Sequence, residues 1–369
     1  MPCKLRPLFA PCGLGLMATL LTTAALADIP QVATDIAPVH SLAAMVMGDL
    51  GAPALIVRPG ASPHGYSMRP SEAQALDGAD LVIWMGEALT PWLEGPIDTL
   101  AADAHKIELM SVEGTILHDY RQGATFDAHD DDHGHDHEHS HDDDDDHDHG
   151  EGTGHSHSHD HGHDHDHSGV DAHAWLDPVN ARLWLGVIAE ELSGLDPENA
   201  QTYRANAATA QAGLEALESE LSTALSTIGD KGFIVFHDAY QYFEHRFGLS
   251  AAGAISLSDA TPPSAGRISE LQAAASEMGA ICVFAKPQFN RNVIDAVFAE
   301  TATVGMLDPL GTGIEPGAAL YPQVLRNMVA EFTACLGEYP LSTRAFAKNY
   351  EHKRRASFHR YIASLANGP

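Results

Sequence analysis

The chain has 369 residues and a formal net charge of −31, from 51 acidic side chains against 20 Lys and Arg. Sixteen of those acids and none of the bases lie between Asp127 and His167, which leaves −15 for the rest of the sequence. A surface this acidic repels phosphate backbones and excludes nucleic acid as a partner.

Residues 1–27 open with Lys4 and Arg6, continue through an apolar stretch at about 13–21 and end on Ala25-Leu26-Ala27. That is the order of a secretory signal and its cleavage site. The competing reading, a membrane anchor, calls for a longer apolar run. Cys12 precedes the stretch, which argues against lipid attachment there. Beyond Ala27 no run approaches 18 apolar residues. The expectation is an exported, soluble chain that starts at Asp28 and is long enough for two lobes, each with its own core.

Short apolar runs then alternate with helical patterns. Residues 54–57 and 81–84 read as strands and 71–76 as a short helix capped by Ser71, the alternation of a parallel sheet covered by helices. Asp177-Pro178 opens a helix to about Leu192, with Gly194 just past its end. A longer pattern starts at Asp196-Pro197 and keeps Tyr203, Ala207, Ala210, Leu214, Leu217, Leu221, Leu225 and Ile228 three or four apart. At 1.5 Å per residue it would reach about 48 Å, enough to brace two lobes. The plainer alternative is an ordinary amphipathic helix broken near Gly213. Past Lys231, residues 233–236, 281–285 and 303–307 read as strands, and 239–247 and 269–278 as helices, the first ended by Gly248. The expected fold is α/β: two similar lobes over 28–194 and 231–369, each a parallel sheet flanked by helices, joined by a long helix over 195–230.

Inserted in the first lobe is the densest feature of the chain. Between positions 127 and 167 stand His129, His133, His135, His137, His139, His141, His147, His149, His155, His157, His159, His161, His163, His165 and His167. Imidazole and carboxylate both ligate divalent transition metals, so the tract is expected to collect them in multiple weak sites. A merely solvated acidic linker is the alternative, although Asp and Glu alone would supply the charge. With one aromatic, Phe126, at its edge, the tract has nothing to bury against the entropy of ordering, and a mobile loop is expected. The stretch His137-Glu-His-Ser-His141 spells the metalloprotease signature by chance. That chemistry needs its two histidines one turn apart on a rigid helix.

Cys3 and Cys12 leave with the signal. Cys282 and Cys335 remain, and in an oxidising compartment they are expected to pair. The enclosed loop of about 53 residues would then add roughly 4 kcal/mol on the chain-entropy account. Two buried free thiols are the alternative.

Three histidines outside the tract share one kind of address. His64 follows a strand in Pro63-His64-Gly-Tyr, His237 ends the strand at 233–236, and His173 lies just before the helix that opens at Asp177. In open α/β sheets the carboxyl ends of strands line the ligand crevice, so these positions can converge between two lobes. Each alone could equally be a structural hydrogen-bonding group.

Four ordered segments, Pro63-His64-Gly-Tyr-Ser-Met-Arg-Pro-Ser71, Asp171-Ala-His173-Ala-Trp-Leu-Asp-Pro178, Phe236-His237-Asp-Ala-Tyr-Gln-Tyr-Phe-Glu244 and Leu307-Asp308-Pro-Leu-Gly311, resemble those of the cluster A-I metal-binding receptors. These are solute-binding proteins of ATP-driven importers for zinc and manganese, and the resemblance covers essentially all of the exported chain. It implies a metal cleft between the lobes, with His64, His173 and His237 as ligands and Asp308 in the fourth position. Asp308 could instead cap a turn, leaving that place to water, a nearby Glu or a tract histidine. The run Cys282-Val-Phe-Ala-Lys-Pro-Gln-Phe289 and the position of Cys335 resemble a disulfide of the same family. Three imidazoles suit zinc, whereas manganese prefers more oxygen. The resemblance thus implies a periplasmic, monomeric Zn²⁺ receptor, not an enzyme, that serves a membrane permease with a separate ATPase subunit, with periplasmic zinc chaperones as further partners. The alternatives are a manganese or nickel receptor of the same fold, or a metal buffer acting through the tract.

Overall fold

The computed structural model describes residues 29–121, 125–126, 169–229, 231–256, 282–288 and 302–337, with a few single positions between 266 and 298. The signal, the His/Asp tract, most of the helix expected at 269–278 and the last 32 residues lie outside the described residues.

Two four-stranded sheets carry the fold. The first comprises β1 (Val32–Thr34), β2 (Ala54–Leu55), β3 (Leu81–Trp84) and β4 (His105–Glu108), ordered β2-β1-β3-β4. The second comprises β5 (Phe233–His237), β6 (Ala251–Ser256), β7 (Cys282–Ala285) and β8 (Thr303–Met306), ordered β6-β5-β7-β8. Every pairing in both is parallel, and the strand order repeats from one sheet to the other. Parallel neighbours require crossover connections. In the first sheet these include α1 (Ala37–Met47), α2 (Pro70–Asp77) and α3 (Glu94–Leu100). Between and beyond the sheets run α4 (Pro178–Leu195), α5 (Ala200–Leu225), α6 (Gln241–Phe247) and α7 (Leu320–Leu336).

Alternation along the strands gives each sheet two buried faces. On β3, Leu81 and Ile83 join a large central core, while Val82 and Trp84 join a cluster on the far face with Leu76, Leu93 and Ile97. On β5, Phe233 and Val235 face the same central core and Ile234 and Phe236 face away. The inner faces of both sheets therefore share one apolar core with α1, α4, α5 and α7.

Helix α5 is that core's common member. It packs on α1 and α4 from the first lobe and on α6 and α7 from the second. Asn206 donates to the Val46 carbonyl at 3.0 Å at one end, and Arg326 of α7 forks onto Glu220 at 3.0 and 2.9 Å at the other. Its 26 residues pass through Gly213 without a break and span about 39 Å. It begins four residues later than Asp196-Pro197 suggests. The Asp196 carboxylate is occupied by a turn, accepting from Asn199 and from the Tyr203 hydroxyl at 2.9 Å.

Two other helix ends differ from expectation. Helix α4, capped by Asp177 through the Val179 N–H at 2.8 Å, continues past Gly194 to Leu195. The N-cap of α2 is Arg69, not Ser71, and the Arg69 N–H donates to the Glu72 carboxylate at 2.6 Å. Cys282 and Cys335 are disulfide-bonded, with Cα atoms 6.0 Å apart, which ties β7 to α7. No helix among the described residues is long and apolar enough to cross a membrane.

Candidate metal centre

His64, His173 and His237 meet between the two sheets. His64 sits in the loop after β2, a segment pinned by the Trp92 indole donating to the Pro63 carbonyl at 2.7 Å and by Tyr66 donating to Glu72 at 2.8 Å. His173 immediately precedes a single 3-10 turn, Ala174–Leu176, that feeds α4. The Trp175 indole anchors that turn to the Pro309 carbonyl across the cleft, at 2.9 Å. His237 is the last residue of β5, one step beyond the strand that sequence assigns. Three chain segments far apart in sequence thus deliver one imidazole each.

One ring nitrogen from each histidine lies within 4.8 Å of the others. Ring centroids are 5.0 to 5.6 Å apart and the ring planes cross at 63 to 70°. The rings therefore converge edge-on instead of stacking. Nε2 of His173 and Nε2 of His237 are 3.3 Å apart. A tetrahedral ion with Zn–N near 2.0–2.1 Å sets its ligand nitrogens about 3.3 Å from one another. His173 and His237 are buried and His64 is half-buried, so the site reaches solvent past His64.

Second-layer contacts prepare these rings. Nδ1 of His173 donates to Asp171 Oδ1 at 2.6 Å, and the same oxygen accepts the His173 backbone N–H at 3.0 Å. That contact fixes the tautomer, leaves the Nε2 lone pair toward the cleft and makes the ring a stronger donor to metal. Burial, then the Lys286 ammonium, then the neighbouring imidazoles push His237 well below the ordinary histidine pKa. A neutral ring is the form that ligates. The residue after it, Asp238, is paired with Arg121, whose guanidinium also donates to Glu244 at 2.7 and 3.0 Å. Arg121 belongs to the segment that leads into the tract. It thereby holds that segment against the second lobe, where Phe126 N–H also donates to Ala252 of β6 at 3.0 Å.

A sequence model of the family described as zinc-uptake complex component A, periplasmic (ZnuA), matches residues 32–335. The chain belongs to the ZnuA family. It is 49% identical over 326 residues to the high-affinity zinc uptake system protein ZnuA of Paracoccus denitrificans, covering 87% of this chain and 97% of that one. It is 46% identical over 308 residues to the protein of the same name from Brucella suis, covering 83% and 92%. Among solved structures it resembles a ZnuA deletion mutant with zinc bound, with a TM-score of 0.65 at 23% identity over 85% of this chain and 100% of that one, a likeness of fold. The cluster A-I resemblance carried by the four motifs is therefore correct.

Within this ZnuA-family site, Asp308 stands apart from the three histidines. Its Oδ1 accepts from the N–H groups of Leu310 and Gly311 at 3.2 and 3.0 Å, and its Oδ2 accepts from Thr312 N–H at 2.7 Å. Burial raises its pKa against the pull of those donors. The turn it organises needs Gly311, which has φ of +71° and whose Cβ would meet Val324 Cγ2 at 2.8 Å. Asp308 is a turn-organising carboxylate here, and it is not in the group whose ligand atoms converge. Sequence reasoning passed over Asp171, Arg121 and Lys286. Asp171 had a visible signal, a carboxylate two residues before a candidate ligand in a short loop. Arg121 and Lys286 become meaningful only once the lobes are assembled.

Proposed function

We propose that this ZnuA-family chain captures Zn²⁺ between its two sheets and delivers it to the membrane permease of an importer driven by a separate ATPase subunit. One observation carries the reading: three imidazoles on separate segments bring one ring nitrogen each within 4.8 Å of the others, with His173 and His237 at 3.3 Å, the spacing of two ligands on a tetrahedral ion. Three imidazoles and at most one carboxylate favour zinc over manganese, which seeks more oxygen. The family is one of periplasmic transport receptors, and no bond is made or broken in its task. On this reading the signal at 1–27 directs export, the zinc is cargo, and His64, His173 and His237 hold it. Asp308 is the proposed fourth ligand, reaching the ion by exchanging Thr312 contacts for it; water would fill that place otherwise. The tract at 127–167 gathers zinc weakly and holds it at high effective concentration near the cleft.

Calorimetric titration tests this directly. The chain lacking residues 127–167 is expected to bind one zinc tightly with lower total stoichiometry than the full chain, and His173→Ala in that background to lose the tight site. Unchanged affinity in His173→Ala would remove His173 from the ligand set. Loss of the tight site on deleting the tract would reassign capture to the tract. Competition with Mn²⁺ and Ni²⁺ separates the zinc reading from its relatives.

A further inference from the structure

Lys286 is buried, with only 2% of its surface exposed, and it directly follows β7. Strands β5 and β7 run parallel with Val235 opposite Phe284, and both of those side chains face the central core. Two residues further along each strand the pleat returns to the same face, so His237 and Lys286 come level on the inner side. The Leu307 N–H donates to the Ala285 carbonyl at 2.9 Å, so the chain keeps its sheet alignment up to Lys286. Neighbouring strands lie about 4.8 Å apart, which sets Lys286 beside His237 at the inner ends of β7 and β5.

A cationic side chain beside a cation site runs against simple affinity. Three neutral imidazoles supply no charge to offset a divalent ion. Among the described residues Asp171 is hydrogen-bonded to His173 and Asp238 is paired with Arg121, so only Asp308, on leaving its turn, would bring a carboxylate directly to the ion, and the bound ion would keep net positive charge. In a buried cleft the repulsion between an ammonium and a divalent ion is weakly screened. A delivery protein has to release what it holds, and a fixed positive charge shortens residence without altering a ligand.

We propose that Lys286 tunes the affinity of the site for divalent cations, raising the free energy of the bound ion and hastening its release. The inference rests on the zinc-receptor reading above. Its test uses the full chain with Zn²⁺ below one equivalent, so that the tightest site fills first, in competition with a strong chelator. Release is followed by stopped flow after excess chelator is added. Lys286→Gln and Lys286→Met, checked for native melting, are each expected to bind at least tenfold tighter, mainly through slower release. Lys286→Arg, which keeps the charge, is expected to stay within about threefold of the parent chain. Unchanged or weaker affinity in either folded neutral variant overturns the proposal, as does equal tightening in Lys286→Arg. If the parent chain has no tight zinc site, the receptor reading fails instead, and the two failures are distinct.

Discussion

As a proposed zinc ligand, His173 has its quality set by a neighbour. With Asp171 accepting from Nδ1 at 2.6 Å, the ring is held in one tautomer and one orientation. Asp171→Asn keeps the shape and removes the charge. It is expected to weaken zinc binding about 10- to 100-fold by titration, as outer-shell changes at metal sites do; an unaltered affinity would mean the contact is only structural. A second residue acts on stability. Asp35 is fully buried at the end of β1, and burial raises its carboxyl to about 7 despite N–H donation from Met85 and Ile36. The unfolded chain gives up this proton near 3.8, while the folded chain holds it to about 7. The unfolded state therefore binds fewer protons between those values, and stability falls as pH rises through that window, then levels off. Asp35→Asn has no proton to lose. In chelator-treated protein it is expected to remove a pH-dependent loss of roughly 2–4 kcal/mol between pH 4 and 7.5, read as a flatter dependence of melting on pH. The three histidines were legible in the sequence through the motifs that carry the family resemblance, since a histidine after a strand or ahead of a helix could equally be structural. The distance between them was not, because it depends on how two sheets are held apart.

At the scale of elements, legibility followed side-chain size. Strands β3, β5 and β7 are runs of aromatic and branched residues that announce burial on both faces. Strand β6 reads Ala-Ala-Gly-Ala-Ile-Ser and β4 reads His-Lys-Ile-Glu, and neither carries a pattern of its own. They are strands because a neighbour offers a parallel register. Helix α5 was visible from its spacing, but its first turn was not, since the Asp196 carboxylate favours a turn over a helix start. The continuity of α5 makes its glycine informative. Gly213 is exposed and a Cβ there meets nothing within 4 Å. Gly213→Ala is therefore expected to stabilise the chain by about 0.5–1 kcal/mol in denaturant unfolding. A loss of stability would mean that α5 bends at this position in solution.

The whole molecule joins two sheets that repeat one topology across a single shared core. Because α5 packs on helices from both lobes and Arg121 ties the first lobe to Asp238 and Glu244 of the second, a wide hinge motion would have to disrupt buried apolar and charged contacts together. Capture and release are then expected to be local events at the mouth beside His64, governed by ligand geometry and nearby charge. Such a site is largely formed before the ion arrives. Diffraction from crystals of the chain grown with one equivalent of Zn²⁺, measured at the zinc absorption edge, tests this most directly. The account expects a single strong anomalous peak between the sheets, with ring nitrogens of His64, His173 and His237 each about 2.0–2.1 Å away. A zinc peak elsewhere, or one contacted by fewer than three of these rings, would contradict it.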